Sequence, residues 1–276
     1  MWTRRDAATL PALALLIYIQ RVCTLAIYFQ CASELPVVVA ANRDEYYDRP
    51  ATAPVRVATR PWIVAGTDLR AGGTWLGVNE HHLVVGVVNR RTAQAPDPAR
   101  RSRGLLCLET LRHATVEAAT AAVCRDRGDL YNPFTLLIAS PYAACVIGNV
   151  TGAMRVTPLA PGVHLLTNLE LNDPECPRIA KSYRLFEDAR RLLHPDTRSA
   201  HRDALAAILA DHSTPLDPRS EGLPNSLCVH TERFGTRSST ILAYCTADDA
   251  YQMWHADGAP CRTAYTQVSL PRAPHV

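Results

Sequence analysis

Cys23 and the run Asn42-Arg43-Asp44-Glu45 hold the side chains whose types and spacing suit chemistry. Cys23 stands at the head of an apolar run, Thr24-Leu25-Ala26-Ile27-Tyr28-Phe29. Asn42 to Glu45 close a second one, Pro36-Val37-Val38-Val39-Ala40-Ala41. Both runs are rich in β-branched residues, and the polar Cys31-Ala32-Ser33-Glu34 between them predicts two adjacent antiparallel strands. That pairing sets Cys23 beside the charged end of its neighbour. A buried strand that closes on charges must find partners for them, because lone desolvated charges are costly. A thiol, a cation and carboxylates in one small space make a nucleophile site. Asp44 and Arg43 serve equally well, on residue type alone, as an ion pair closing a strand end. Arg43, Asn42 and Trp75 are candidate substrate contacts, although Trp75 reads most simply as core.

The elements that must position these groups follow in order. Trp62-Ile63-Val64-Ala65 is a short strand after a polar, proline-containing loop over residues 46–60. Gly72-Gly73 forms a tight turn into Trp75-Leu76-Gly77-Val78-Asn79. Leu83 begins another strand, which ends at Asn89-Arg90, followed by a loop of proline and alanine. Ser102 and Thr115 are N-cap residues for helices over 102–113 and 115–125. Residues 134–139 and 143–147 read as a hairpin, extended by strands at 154–157 and 163–167. Asp173-Pro174 opens a helix that carries Ile179, Tyr183, Phe186 and Leu193 on one face. A second helix covers 201–212, and strands return at 227–231, 239–245 and 251–255. Strands, helices, strands, helices and strands in that order predict stacked sheets covered by helices.

Composition narrows the function classes. The 276 residues are 47 % hydrophobic and 20 % charged, enough for a sizeable core. A net charge of +3 makes no case for nucleic acid. The nine cysteines are odd in number, include no C-x-x-C pair and show no ligand-like grouping with the ten histidines. This favours a reducing, cytoplasmic setting over a disulfide framework. No C-x-x-C-H is present, and His81-His82 falls in a tight turn, so a dedicated haem ligand has little support. Residues 1–22 pair Arg4-Arg5 with an apolar run too short for a stable membrane span. They read as a signal-like segment, or as untranslated sequence upstream of a bacterial GTG start at Val22. In either reading a single domain spans 23–276 and begins at Cys23.

Four ordered blocks carry a family resemblance: Asn42-Arg43-Asp44-Glu45, Gly72-Gly73-Thr74-Trp75-Leu76-Gly77, Tyr131-Asn132-Pro133-Phe134 and Gly235-Thr236-Arg237-Ser238-Ser239-Thr240. They resemble the signature of the NRDE family, whose eukaryotic namesake is transport and Golgi organisation protein 2. The resemblance implies an α+β fold, a four-layer αββα sandwich similar to the N-terminal-nucleophile hydrolases. Among these, the layout also resembles choloylglycine and penicillin V acylases. That likeness implies Cys23 as nucleophile, Asp44 as the carboxylate holding its α-amine, and Asn89 as an oxyanion donor. It further implies Asn168 as a second polar group and Arg237 as the cation against the thiolate. The acylases place a second arginine about two positions before Arg43.

The chemistry is self-consistent. A free thiol titrates near ~8.5, so a nearby cation raises its reactive fraction. An α-amine titrates near ~8 and can take the thiol proton and return it to a leaving amine. No metal or cofactor is needed for this, and the expected partner is a small-molecule substrate. The implied reaction is hydrolysis of a non-peptide N-acyl amide. The alternative is a non-catalytic binding or trafficking protein linked to haem or lipid (acyl-CoA) homeostasis, as the NRDE resemblance also allows.

Overall fold

Strands β1 (Thr24–Phe29) and β2 (Val37–Tyr46) pair antiparallel, with Thr24 opposite Asn42 and Phe29 opposite Val37. The computed structural model that shows this describes residues 23–92, 94–213 and 226–271. The expectations for residues 1–22 lie outside the described residues. The period-2 alternation of these strands sends Leu25, Ile27, Val37, Val39 and Ala41 to one face and Ala26, Tyr28, Val38 and Ala40 to the other. Both faces are apolar, so both must be covered.

The remaining elements supply the covers. Strands β3 (Val55–Thr59), β4 (Trp62–Ala65), β5 (Leu76–Asn79), β6 (Val84–Asn89), β7 (Phe134–Ala139), β8 (Ala144–Gly148) and β9 (Arg155–Pro158) form a seven-stranded antiparallel meander in chain order. Strand β10 (Gly162–Leu166) returns to the first sheet. With β11 (Phe234–Cys245), β12 (Ala250–Ala256) and β13 (Thr266–Val268), that sheet runs β10-β1-β2-β11-β12-β13.

One core lies between the sheets and joins Leu25, Ile27 and Val39 to Val64, Val78, Leu137 and Val146. A second packs the first sheet against α3 (Pro177–Ala189) and α4 (Arg198–Leu209) through Tyr28, Val38, Ile179, Phe186, Leu205 and Leu209. A third packs the meander against α1 (Arg103–Thr110) and α2 (Val116–Val123) through Ile63, Val85, Leu106, Leu111, Val123 and Leu136. Three apolar interfaces between four layers are the αββα sandwich.

Ser102 and Thr115 cap α1 and α2 as expected, their side chains accepting from the N–H groups of Leu105 and Ala118. Four expectations give way. The hairpin of β7 and β8 gains β9 but not β10, because the apolar Val163, Leu165 and Leu166 complete the first sheet beside β1. The loop over 46–60 contains β3, an exposed edge strand with a register irregularity between Arg56 and Ala58. The helix opens at Pro177 rather than beside Pro174, with Cys176 as N-cap. Residues 227–231 make only one strand-like bridge, His230 to Gly235, since their other backbone groups bond to Asn42, Asp211, Phe234 and Thr236 instead of a neighbouring strand's ladder.

Candidate functional site

Cys23 lies immediately before β1, next to the polar end of β2, and its Sγ donates to the backbone carbonyl of Asp44 at 3.5 Å. The thiol opens on a cleft of about 300 Å³ whose lining includes Cys23, Arg43, Asp44, Trp75 and Asn89. The cleft closes between the end of β2, the turn before β5, the end of β6 and the start of α1.

Alternation along β2 separates the two groups that sequence reading placed together. Arg43 is 6 % exposed and pairs with Asp68 at 3.3 Å, not with Asp44. Its guanidinium also lies 4.4 Å from the centre of the Trp75 ring. Arg49 reaches Asp68 at 2.6 Å and Glu45 at 3.5 Å, which completes a network of two cations and two carboxylates on the cleft wall. Burial works against the Asp68 carboxylate, but the N–H of Ala71 and the Arg49 guanidinium hold it below the usual range. The ion pair Arg43–Asp44 expected as a strand-end closure is therefore replaced by Arg43–Asp68.

Asp44 is 2 % exposed. Its Oδ1 accepts from Thr236 Oγ1 at 2.6 Å, whereas Oδ2 has no hydrogen bond. Burial raises its carboxyl to about 7, against the pull of Thr236 and of the nearby Arg178 guanidinium. Arg178, on α3 and 4 % exposed, has a second buried atom without a partner, Nη2, and burial lowers its affinity for its proton. Enclosure of the sulfur, then the Asp44 charge, push the Cys23 thiol up to about 12. The raised value keeps the thiol mostly protonated at neutral pH unless a base lies beside it. Arg43 pulls the other way, as a cation beside a thiol should, but less strongly than burial and Asp44 push.

Asn89 ends β6 and lines the cleft. Asn168, Arg237 and Asn42 are not among its lining residues. Asn42 donates from Nδ2 to the carbonyls of Leu209 and Leu227 at 2.8 and 2.9 Å, a tie to the helix layer rather than a substrate contact. Asn168 presents its carbonyl to the N–H of Arg91. Arg237 is the extra residue of a bulge in β11, between Thr236 opposite Asp44 and Ser238 opposite Arg43. Its Nε is buried without a partner.

The glycine and asparagine blocks also find their reasons. At Gly73 a Cβ would sit 2.1 Å from the backbone carbon of Gly104, so only glycine lets the turn dock on the start of α1. Asn132 exchanges hydrogen bonds with the backbone of Asp97 and fastens the proline-alanine loop to the cleft. Sequence reading missed Asp68, Arg49 and Arg178. Asp68 carried a readable signal: its Oδ1 accepts from Arg70 and Ala71, an Asx turn ahead of Gly72. Arg178 shares the spacing of four and eight residues with Ser182 and Phe186, which marks it as inward-facing.

Among the described residues, no helix is long and apolar enough to cross a membrane. The model for the family described as Transport and Golgi organisation 2 matches residues 22–253. The bovine Transport and Golgi organization protein 2 homolog is 29 % identical over 226 residues, which cover 75 % of this chain and 81 % of that protein. The human homolog is 27 % identical over the same spans. These relatives are mammalian, in conflict with a bacterial source.

Penicillin V acylase from Agrobacterium tumefaciens matches with a TM-score of 0.53 at 13 % identity, covering 87 % of this chain and 93 % of that one. The Caenorhabditis elegans ortholog of N-acylethanolamine-hydrolyzing acid amidase matches at 0.52 and 15 %, covering 80 % and 92 %. A mutant conjugated bile acid hydrolase from Clostridium perfringens matches at 0.51 and 9 %, covering 91 % and 97 %. Identities this low show the fold alone, the four-layer αββα sandwich that these three structures share with this chain. With matched residues spanning most of the sequence, the chain belongs to the Transport and Golgi organisation 2 family.

Proposed function

We propose that this protein is a cysteine amidohydrolase acting on a non-peptide N-acyl amide once Cys23 is its first residue. The observation that carries the reading is the thiol of Cys23 at the head of β1, against Asp44 and open to the cleft. A freed α-amine gives the unpartnered Oδ2 of Asp44 a donor and gives the thiol a base. Sγ then attacks the acyl carbon and its proton passes to the α-amine. The tetrahedral oxyanion accepts from Asn89, the asparagine that lines the cleft. The C–N bond breaks, and the departing amine takes the proton and leaves a thioester. Water hydrolyses the thioester to a carboxylic acid and restores the thiol. Arg43 is the cation that acts on the thiol, and with Trp75 it walls the cleft, while Arg237 stands in the bulge of β11 beside Asp44. The second reading is a binding or trafficking protein linked to haem or lipid, in which the enclosed thiol stays uncharged and the cleft holds a ligand without reacting.

The two readings part on one experiment. A chain beginning at Cys23 and the 276-residue chain are compared on an N-acyl amide panel and by iodoacetamide labelling with peptide mapping at neutral pH. In the long chain Cys23 is expected to alkylate at least about tenfold more slowly than exposed Cys124. In the short chain it should become the fastest of the nine and support turnover that Cys23→Ala abolishes. Slow labelling and no turnover in both chains would sink the hydrolase reading.

A further inference from the structure

Outside the cleft, the fold gathers four residues that the sequence scatters over 50 positions. His212 follows α4, Cys228 and His230 flank Val229, and Cys261 follows β12. Spacing alone showed no ligand-like grouping. In the folded chain one ligand atom from each lies within 4.8 Å of all the others. From these positions we propose a structural zinc site of composition Cys₂His₂.

The separations fit a tetrahedral ion. With Zn–S of about 2.3 Å and Zn–N of about 2.05 Å, tetrahedral geometry sets two sulfurs about 3.8 Å apart and sulfur and nitrogen about 3.6 Å apart. Cys228 Sγ lies 3.6 Å from Cys261 Sγ and 3.7 Å from His230 Nε2. His230 Nε2 lies 3.2 Å from Cys261 Sγ. His212 points its Nδ1 at the carbonyl of Cys228, 3.1 Å away. An N–H donated there fixes the tautomer and leaves the Nε2 lone pair for the metal, the usual support for a ligating imidazole. Two thiolates and two imidazoles in this geometry select zinc over the hard cations. Binding replaces two thiol protons, which pass to solvent.

The site staples the end of α4, the segment from Ser226 to His230 and the chain after β12. That segment is the back wall of Asp44. Val229 exchanges hydrogen bonds with Thr236, whose hydroxyl holds Asp44. The carbonyls of Ser226 and Leu227 accept from Arg178 and Asn42. A metal here sets the position of the carboxylate without touching it.

The test uses the full chain purified under reducing conditions with zinc present. Elemental analysis should find about one zinc per chain. Cobalt exchanged into it should give intense tetrahedral d–d absorption and sulfur-to-cobalt charge-transfer bands. Cys261→Ser should lose these bands, whereas Cys124→Ser, at another exposed cysteine, should retain them. Chelation of the wild type should speed hydrogen exchange at the Val229 and Thr236 amides. This second measurement does not depend on any variant folding. Absence of stoichiometric metal, unchanged cobalt spectra in Cys261→Ser, or a Cys228–Cys261 disulfide in freshly prepared reduced protein would each overturn the assignment.

Discussion

Arg43 and Asp44 are neighbours in one strand, both almost fully buried, and they live in opposite electrostatic conditions. On the cleft side, Arg43 has a carboxylate, an aromatic face and a shared network with Arg49 and Glu45. On the helix side, Asp44 keeps a free oxygen near an arginine that also has a free nitrogen. A satisfied network fixes a wall, while an unsatisfied one holds potential for a ligand, a proton or an amine. The difference sets a satisfied network around Arg43 against an unsatisfied pair at Asp44 and Arg178.

The sharpest way to break that contrast is to remove Asp68. Asp68→Ala strands two buried or half-buried guanidinium groups and deletes the turn before Gly72. Thermal melting should register a loss of about 3–5 kcal/mol. A variant that melts like the wild type would mean that the wall does not depend on this network.

Asp44→Asn should behave in the opposite way. The Asp44 carboxyl rises from an ordinary 3.8 to about 7 in the fold. Its contribution to stability is therefore fully present below pH ~4 and is lost as pH climbs through 7. Relative to the wild type, Asp44→Asn should gain on the order of 2–4 kcal/mol between pH 4 and 8, measured by melting at both values. A change of the reverse sign would show that attraction to Arg178 outweighs burial, and the two faces would then be alike. The smallest effect belongs to Trp75→Phe, which keeps a ring beneath Arg43 but weakens the cation–π contact, at about 0.5–1 kcal/mol.

These contrasts also explain what could be read before the structure. The pairing of β1 with β2 followed from two apolar runs and a short polar turn, and the caps at Ser102 and Thr115 from residue type. The sandwich came from the order of elements and from the resemblance carried by four blocks. What stayed hidden depended on distant partners. Asp68 draws Arg43 away from Asp44 across 24 residues, and β10 joins the first sheet only because β1 has a free edge there. The His212, Cys228, His230 and Cys261 group has no local spacing that announces it, since the fold alone brings its members together.

The two sheets differ in one more respect, the distance along the chain that each strand must search. The meander is built from neighbours in sequence, and all seven strands lie within residues 55–158. The first sheet closes only when β11, at Phe234–Cys245, is inserted beside β2, nearly two hundred residues from its partner. During synthesis the meander can therefore form and mature while β2 still has a bare edge. Thr236 arrives with β11, so Asp44 meets its hydroxyl partner late. The corner around Asp44 is thus completed only after the scaffold that will hold it already exists.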